Sequence, residues 1–235
     1  MPVILLLGLL VLLSTHNVKG NEGTVHTITY HSTTQNTECN MNVYLPYGYD
    51  LPPDSASSYP VFYLIHGGGE NYRHWVNSGH AKTTLDDFIA SDIAVPMILV
   101  MPDGKDLAAD VFCNELLYDI IPYIESNYRV KADREHRGVG GLSWGGLQAM
   151  EPGIFHYELF GYMAILSSGW FTTDNATYAR ARDFLSTHQD DLLSSVRYWY
   201  FSQGGPSDIA YENGKVTMAT IREAGITVHY WEHPG

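Results

Sequence analysis

Gly141-Leu142-Ser143-Trp144-Gly145 sets one serine between two glycines, in the pattern G-x-S-x-G. A serine hydroxyl is a weak nucleophile until a neighbouring base takes its proton. It must also be presented to the substrate, and this pattern supplies the presentation. A tight strand-to-helix turn tolerates only small residues beside the serine and pushes its hydroxyl outward. The context agrees: Gly138-Val139-Gly140 reads as the end of a strand, and residues 144–150 read as the start of a helix. Ser143 is therefore the candidate nucleophile for acyl transfer. The helix that follows turns its positive N-terminal end toward the charge that develops there.

Acyl transfer needs donors for the oxyanion. One is the backbone N–H after the nucleophile, here Trp144; the other comes from the loop after an earlier strand. His66-Gly67-Gly68-Gly69 follows an apolar run that ends at Ile65, and its glycines let backbone approach a carbonyl oxygen closely. Gly68 is the expected second donor. The acid should follow the serine in chain order, and the base should follow the acid. Asp208, on the Ser202-Gln203-Gly204-Gly205-Pro206-Ser207-Asp208 loop, is the expected acid. Asp174, Asp190 and Asp191 compete with it, but read as helix caps or solvated surface. Only His229 and His233 lie late enough to be the base. His229 falls inside a strand and reads as a packed residue; His233 is on the loop beyond it. His66, His74 and His80 lack metal-ligand spacing and read as surface or packing residues. The chemistry requires no metal or organic cofactor.

These residues must be held by a scaffold. Residues 61–65 and 97–101 are continuous apolar runs, as strands buried on both faces require. Residues 138–142, 162–166, 198–202 and 227–231 are further strand candidates, and the partly alternating stretches 25–30 and 41–45 read as earlier, more exposed ones. Helical patterns fall between them at 83–90, 116–124 and 211–224, the last stopped by Gly225. The Pro-, Ser- and Asp-rich stretch 50–59 reads as a surface loop. Glu151-Pro152-Gly153 is expected to break the helix after the elbow, because proline cannot sit in a helix interior without cost. Strand and helix in alternation imply an α/β fold: a mostly parallel central sheet with helices on both faces.

Residues 21–235 have the length of one such domain. Before them, residues 3–13 form an apolar run broken only by Gly8. The run is too short to span a bilayer and has the length of a signal-peptide core, with Val18-Lys19-Gly20 as the cleavage site. Residues 1–20 are thus expected to be a signal peptide and the mature protein to be secreted, with no membrane association. A net charge of −13 repels phosphate backbones and argues against nucleic-acid partners. Cys39 and Cys113 can pair in an oxidising compartment if geometry allows, which the sequence leaves open. Asn175-Ala176-Thr177 is a glycosylation sequon.

The chain resembles carbohydrate esterase family 1, the secreted feruloyl and acetylxylan esterases, with esterase D-type and mycolyltransferase relatives. The resemblance runs through Tyr44-Leu45-Pro46-Tyr47-Gly48-Tyr49-Asp50, Tyr63-Leu64-Ile65-His66-Gly67-Gly68-Gly69 and Val100-Met101-Pro102-Asp103-Gly104. It continues through Ile121-Pro122-Tyr123-Ile124-Glu125 and Ala132-Asp133-Arg134-Glu135 to the elbow and Gly146. It implies the α/β-hydrolase fold and a Ser-Asp-His triad, with the serine at Ser143 and the acid at Asp208. The family's histidine follows a glycine turn after the last strand; on that register it is expected about two residues beyond Gly235, with His233 at a variable position. The final loop and helix are then expected beyond Gly235 as well. The implied substrate is an acylated plant cell-wall polysaccharide, feruloyl esters first and acetylxylan second. An acyltransferase on the same fold, or a non-catalytic carbohydrate-binding pseudoenzyme, is the alternative. Trp144 stands where the family more often has methionine.

Overall fold

The computed structural model describes residues 22–51, 57–105, 107–171 and 176–233. The expected signal peptide, Asp174, the sequon asparagine Asn175 and the terminal Pro234-Gly235 lie outside the described residues. The strands are β1 (Thr24–Ser32), β2 (Thr37–Leu45), β3 (Val61–Ile65), β4 (Ile98–Pro102), β5 (Arg137–Leu142), β6 (Tyr162–Leu166), β7 (Tyr198–Gln203) and β8 (Val228–Glu232). They form one sheet in the order β1-β2-β4-β3-β5-β6-β7-β8. β1 is antiparallel to β2, and β2 to β4. All pairings from β4 to β8 are parallel.

The helices are α1 (His74–Asn77), α2 (Ala81–Ala90), α3 (Ala109–Glu115), α4 (Ile121–Asn127), α5 (Trp144–Phe155), α6 (Ala176–Thr187), α7 (Gln189–Ser195) and α8 (Tyr211–Glu223). None of the described helices is long and apolar enough to cross a membrane. Side chains of the central strands go alternately to two cores. Val61, Tyr63, Ile65, Ile98 and Val100 join one cluster with α3, α5 and α8; Leu64, Leu99 and Met101 join another with Leu85 of α2. Continuous apolar runs were readable as strands because each successive residue has a core of its own to enter.

The end of α8 follows from Gly225. Its φ is +78°, its N–H donates to the Arg222 carbonyl and the Ile226 N–H donates to Ile221. This pair of bonds is the Schellman arrangement that closes a helix on a left-handed glycine.

Two expectations change. First, Pro152 does not end α5, which runs to Phe155 with the His156 N–H donating to the Pro152 carbonyl. A proline inside a helix costs about 3 kcal/mol, yet Met150, Glu151, Pro152, Gly153 and Ile154 are all buried. Gly153 lies so close to Met163 of β6 that a Cβ would stand 2.6 Å from its Sδ. Packing onto the sheet outweighs the local penalty. Second, the expected helix at 116–124 is the middle of a longer rod. α3 and α4 are joined without interruption by a π-helical turn, Leu116–Ile120, just before Pro122. At its start, fully buried Glu115 accepts from the hydroxyls of Tyr30 (2.7 Å) and Ser32 (2.6 Å) and the amide of Gln35 (3.0 Å), fastening β1 to the rod.

The pairing of Cys39 with Cys113, which the sequence leaves open, is not formed; both are free and buried. Cys39 lies in β2, where Gln35 Nε2 donates to its Sγ at 3.3 Å; Cys113 lies in α3. Burial, and then the nearby Glu151 carboxyl, push the Cys113 thiol up to about 12. Alkylation reacts through the thiolate. Native protein should therefore resist iodoacetamide, and denatured, unreduced protein should titrate two thiols per chain. Finding none in denaturant would show a disulfide instead.

Candidate active site

The parallel strands β5, β6, β7 and β8 deliver Ser143, Ser167 with Ser168, Asp208 and His233 in turn to the carboxyl end of the sheet, where open α/β sheets bind ligands. Ser143 is exposed and caps α5 with φ 52° and ψ −115°. That backbone is outside the common left-handed well and is strained for any residue with a Cβ. Its neighbours make the turn feasible. A Cβ on Gly141 would lie 2.3 Å from the Gly145 carbonyl oxygen, and one on Gly145 would lie 2.3 Å from that of His66. Both glycines of the motif are therefore steric necessities. The Trp144 N–H opens α5, so it has no intrahelical acceptor and is available to an oxyanion.

The glycine loop lies against the elbow. Gly67 is buried beside the Leu142 carbonyl, and the Glu70 N–H donates back to Gly67 at 3.3 Å. Gly69 has φ +76°, as the third residue of a type II turn requires. Gly68, exposed, stands at the turn's second position.

Asp208 is held from three sides. It accepts from Ser167 Oγ (2.7 Å), the Gly204 N–H (2.9 Å) and the Ala210 N–H (2.8 Å). Burial opposes its charge, but these donors outweigh burial and keep its carboxyl below the ordinary aspartate value. Ser168 Oγ donates to the Ser143 carbonyl at 2.6 Å. Adjacent serines thus connect the elbow to the loop that carries Asp208. Ser167 pays for this position with φ +45°. The sequence reading did not single out either serine; the available signal was a polar Ser-Ser-Gly step at the end of an apolar strand.

The competing Asp190 and Asp191 occupy the first turn of α7, where carboxylates complement the helix dipole. His229 is exposed but stacks flat on Tyr198, with centroids 3.9 Å apart, as a packing residue would. His233 donates its N–H to the Gln203 carbonyl (2.8 Å) and its ring meets Trp231 edge-on. The chain leaving β8 therefore lies beside the loop that carries Asp208. Among the described residues no group of three or more His, Cys, Asp or Glu could hold a metal ion.

A cleft of about 360 Å³ opens beside the elbow, between α5 and the start of α6. Trp144 and Phe171 stack at 5.9 Å on its wall, and Trp144 Nε1 donates to the Leu107 carbonyl at 3.0 Å, which fixes the indole. Glu151 and Arg180, an ion pair, also line it. Burial drives the Glu151 carboxyl above its ordinary value, and Arg180 only partly offsets this.

A family model, Esterase, matches residues 32–227. The endo-1,4-beta-xylanase/feruloyl esterase of Xylanibacter ruminicola is 32% identical over 176 residues, covering 70% of this chain and 24% of that protein. Endo-1,4-beta-xylanase Y of Acetivibrio thermocellus is 34% identical over 186 residues, covering 74% of this chain and 17% of that protein. This chain thus corresponds to a small part of each relative's length. A solved ferulic acid esterase superposes with a TM-score of 0.77 at 25% identity, covering 92% of this chain and 91% of that one. The feruloyl esterase module from Clostridium thermocellum, complexed with sinapinate, gives 0.74 at 27% identity over 91% and 81% of the two chains. With a family match across most of its length and the strand order described above, the chain belongs to the Esterase family and has the α/β-hydrolase fold.

Proposed function

We propose that this protein is a secreted serine carboxylic-ester hydrolase that removes feruloyl groups from plant cell-wall polysaccharide. The observation that carries the reading is the strained, exposed Ser143 joined through Ser168 and Ser167 to an Asp208 held by three donors, which leaves its carboxylate room to accept one more. Ser143 Oγ attacks the ester carbonyl while an imidazole on the chain following β8, oriented by Asp208, takes its proton. The oxyanion is met by the N–H groups of Trp144 and Gly68, each donor worth about 3–4 kcal/mol to the transition state. The protonated imidazole releases the sugar hydroxyl, and water cleaves the acyl-enzyme by the same route in reverse.

The names of the relatives support a feruloyl substrate. So does the Trp144–Phe171 wall beside the nucleophile, because an aromatic acyl ring gains from offset stacking. Export is supported by the apolar run at residues 3–13. The test uses full-length protein. It should hydrolyse methyl ferulate, and a fluorophosphonate should label it once, with the adduct mapped to the Ser143 peptide. Labelling at another residue would refute the assignment of the nucleophile. Turnover of acetylxylan without turnover of methyl ferulate would refute the feruloyl substrate.

A further inference from the structure

His66 is buried to 1% exposure at the exit of β3, immediately before the glycine loop. Its Nδ1 lies 2.8 Å from the Gly67 carbonyl oxygen. Its Nε2 receives the Gly104 N–H at 3.1 Å and lies 3.2 Å from Asp103 Oδ1. A backbone N–H can only donate, so Nε2 is the acceptor in the neutral ring and the proton sits on Nδ1. The opposite tautomer would set two acceptors against each other at Gly67. A protonated ring would donate to Asp103 from Nε2 and would keep its Nδ1 proton. In both charge states Nδ1–H donates to Gly67.

We propose that His66 is a positioning residue for the oxyanion hole: by holding the Gly67 carbonyl it aims the Gly68 N–H of the same peptide unit. The peptide is planar and trans, so its C=O and N–H point in opposite directions, and fixing one fixes the other. Glycine on both sides leaves this unit no Cβ to restrain its rotation, so the restraint comes from hydrogen bonds to the Gly67 carbonyl: the long turn bond from Glu70 N–H at 3.3 Å and the shorter one from His66 at 2.8 Å. The ring can supply it because it is itself fixed. Gly104, its second contact, is wedged between Ile65 and Gln148, where a Cβ would lie 2.8 Å and 2.5 Å from their nearest atoms. Donation to the carbonyl also polarises the peptide and strengthens the N–H on its far side. The inference rests on the proposed roles of Ser143 and Gly68.

Two amide replacements separate this role from a merely structural one. His66→Asn places a donor near Nδ1 and loses the Nε2 contact to Gly104; His66→Gln does the reverse. In full-length protein, His66→Gln should lower kcat on methyl ferulate by about 100-fold with KM within about threefold, the signature of a lost oxyanion donor. His66→Asn should stay within about tenfold of wild type. If tying the β3 and β4 exits together is all that His66 does, the order reverses, and that result overturns the proposal, as does equal loss in both. A measurement on the wild type needs no variant: nitrogen-15 spectra should show His66 protonated at Nδ1 in both charge states, and a ring with its only proton on Nε2 would overturn the proposal even if both variants misfold. Equal turnover by wild type and Ser143→Ala removes the esterase reading and this proposal together. A dead Ser143→Ala beside a fully active His66→Gln removes only this proposal.

Discussion

Ser143→Ala is expected to lower kcat on methyl ferulate by about six orders of magnitude in the full-length protein, the scale seen when a serine hydrolase loses its nucleophile. The change removes one oxygen and leaves the Cβ, so the strained φ of 52° is no worse in the variant than in the wild type. The elbow's own hydrogen bonds are made by backbone: Gly146 N–H to the Ser143 carbonyl at 2.9 Å, and Ser143 N–H to the Leu166 carbonyl at 2.9 Å. Neither uses the hydroxyl. An exposed side chain outside any network changes stability by about 0.5 kcal/mol or less. The loss should therefore appear with an unchanged melting temperature. Undiminished turnover in this variant would refute Ser143 as the nucleophile.

Asp208→Asn is expected to cost about four orders of magnitude in kcat, because an amide cannot hold the imidazole in the tautomer that accepts the serine proton. It also carries a stability cost that Ser143→Ala does not. The carboxylate receives donors from Ser167, Gly204 and Ala210. An amide can match some of them but must turn its NH2 toward another, leaving a donor unsatisfied at a cost of about 1–3 kcal/mol. Equilibrium unfolding and kinetics on the same sample separate the two effects. A loss of activity below about tenfold would place the catalytic acid elsewhere.

The depressed pKa of Asp208 adds a pH signature. Burial raises it, but the donors from Gly204, Ser167 and Ala210 outweigh burial and lower it overall. A carboxyl whose folded value lies below its unfolded value stabilises the fold above the unfolded value, and that stabilisation is lost as pH falls through the folded one. Asparagine does not titrate. The stability gap between wild type and Asp208→Asn should therefore narrow as the solution is acidified through that window.

The strands and the elbow were legible in the sequence because their causes are local. An apolar run such as 61–65 records burial on both faces, whatever the partner strand is. Gly141 and Gly145 are required by atoms within a few residues of the turn and by the adjoining strand end. Chain order alone pointed to Asp208 as the proposed acid, since in this fold the acid leaves a strand after the serine. Where the local rule met a distant partner, it failed. Proline predicts a broken helix, and only contact with β6 explains why α5 continues past Pro152. Cys39 and Cys113 carry no sign of which elements will separate them. His66 reads as a packing residue until the exit of β4, 37 positions later, is brought against its ring. Ser167 and Ser168 acquire their roles only when β6 is inserted between β5 and β7. The sequence by itself determined the class of fold, the turn at Ser143 and the order of the candidate site residues, because steric and burial patterns act over a few residues. The tertiary structure alone decided which side chains hold those residues in place, because a hydrogen bond between positions 41 apart, such as Ser167 to Asp208, exists only after the strands have been set side by side.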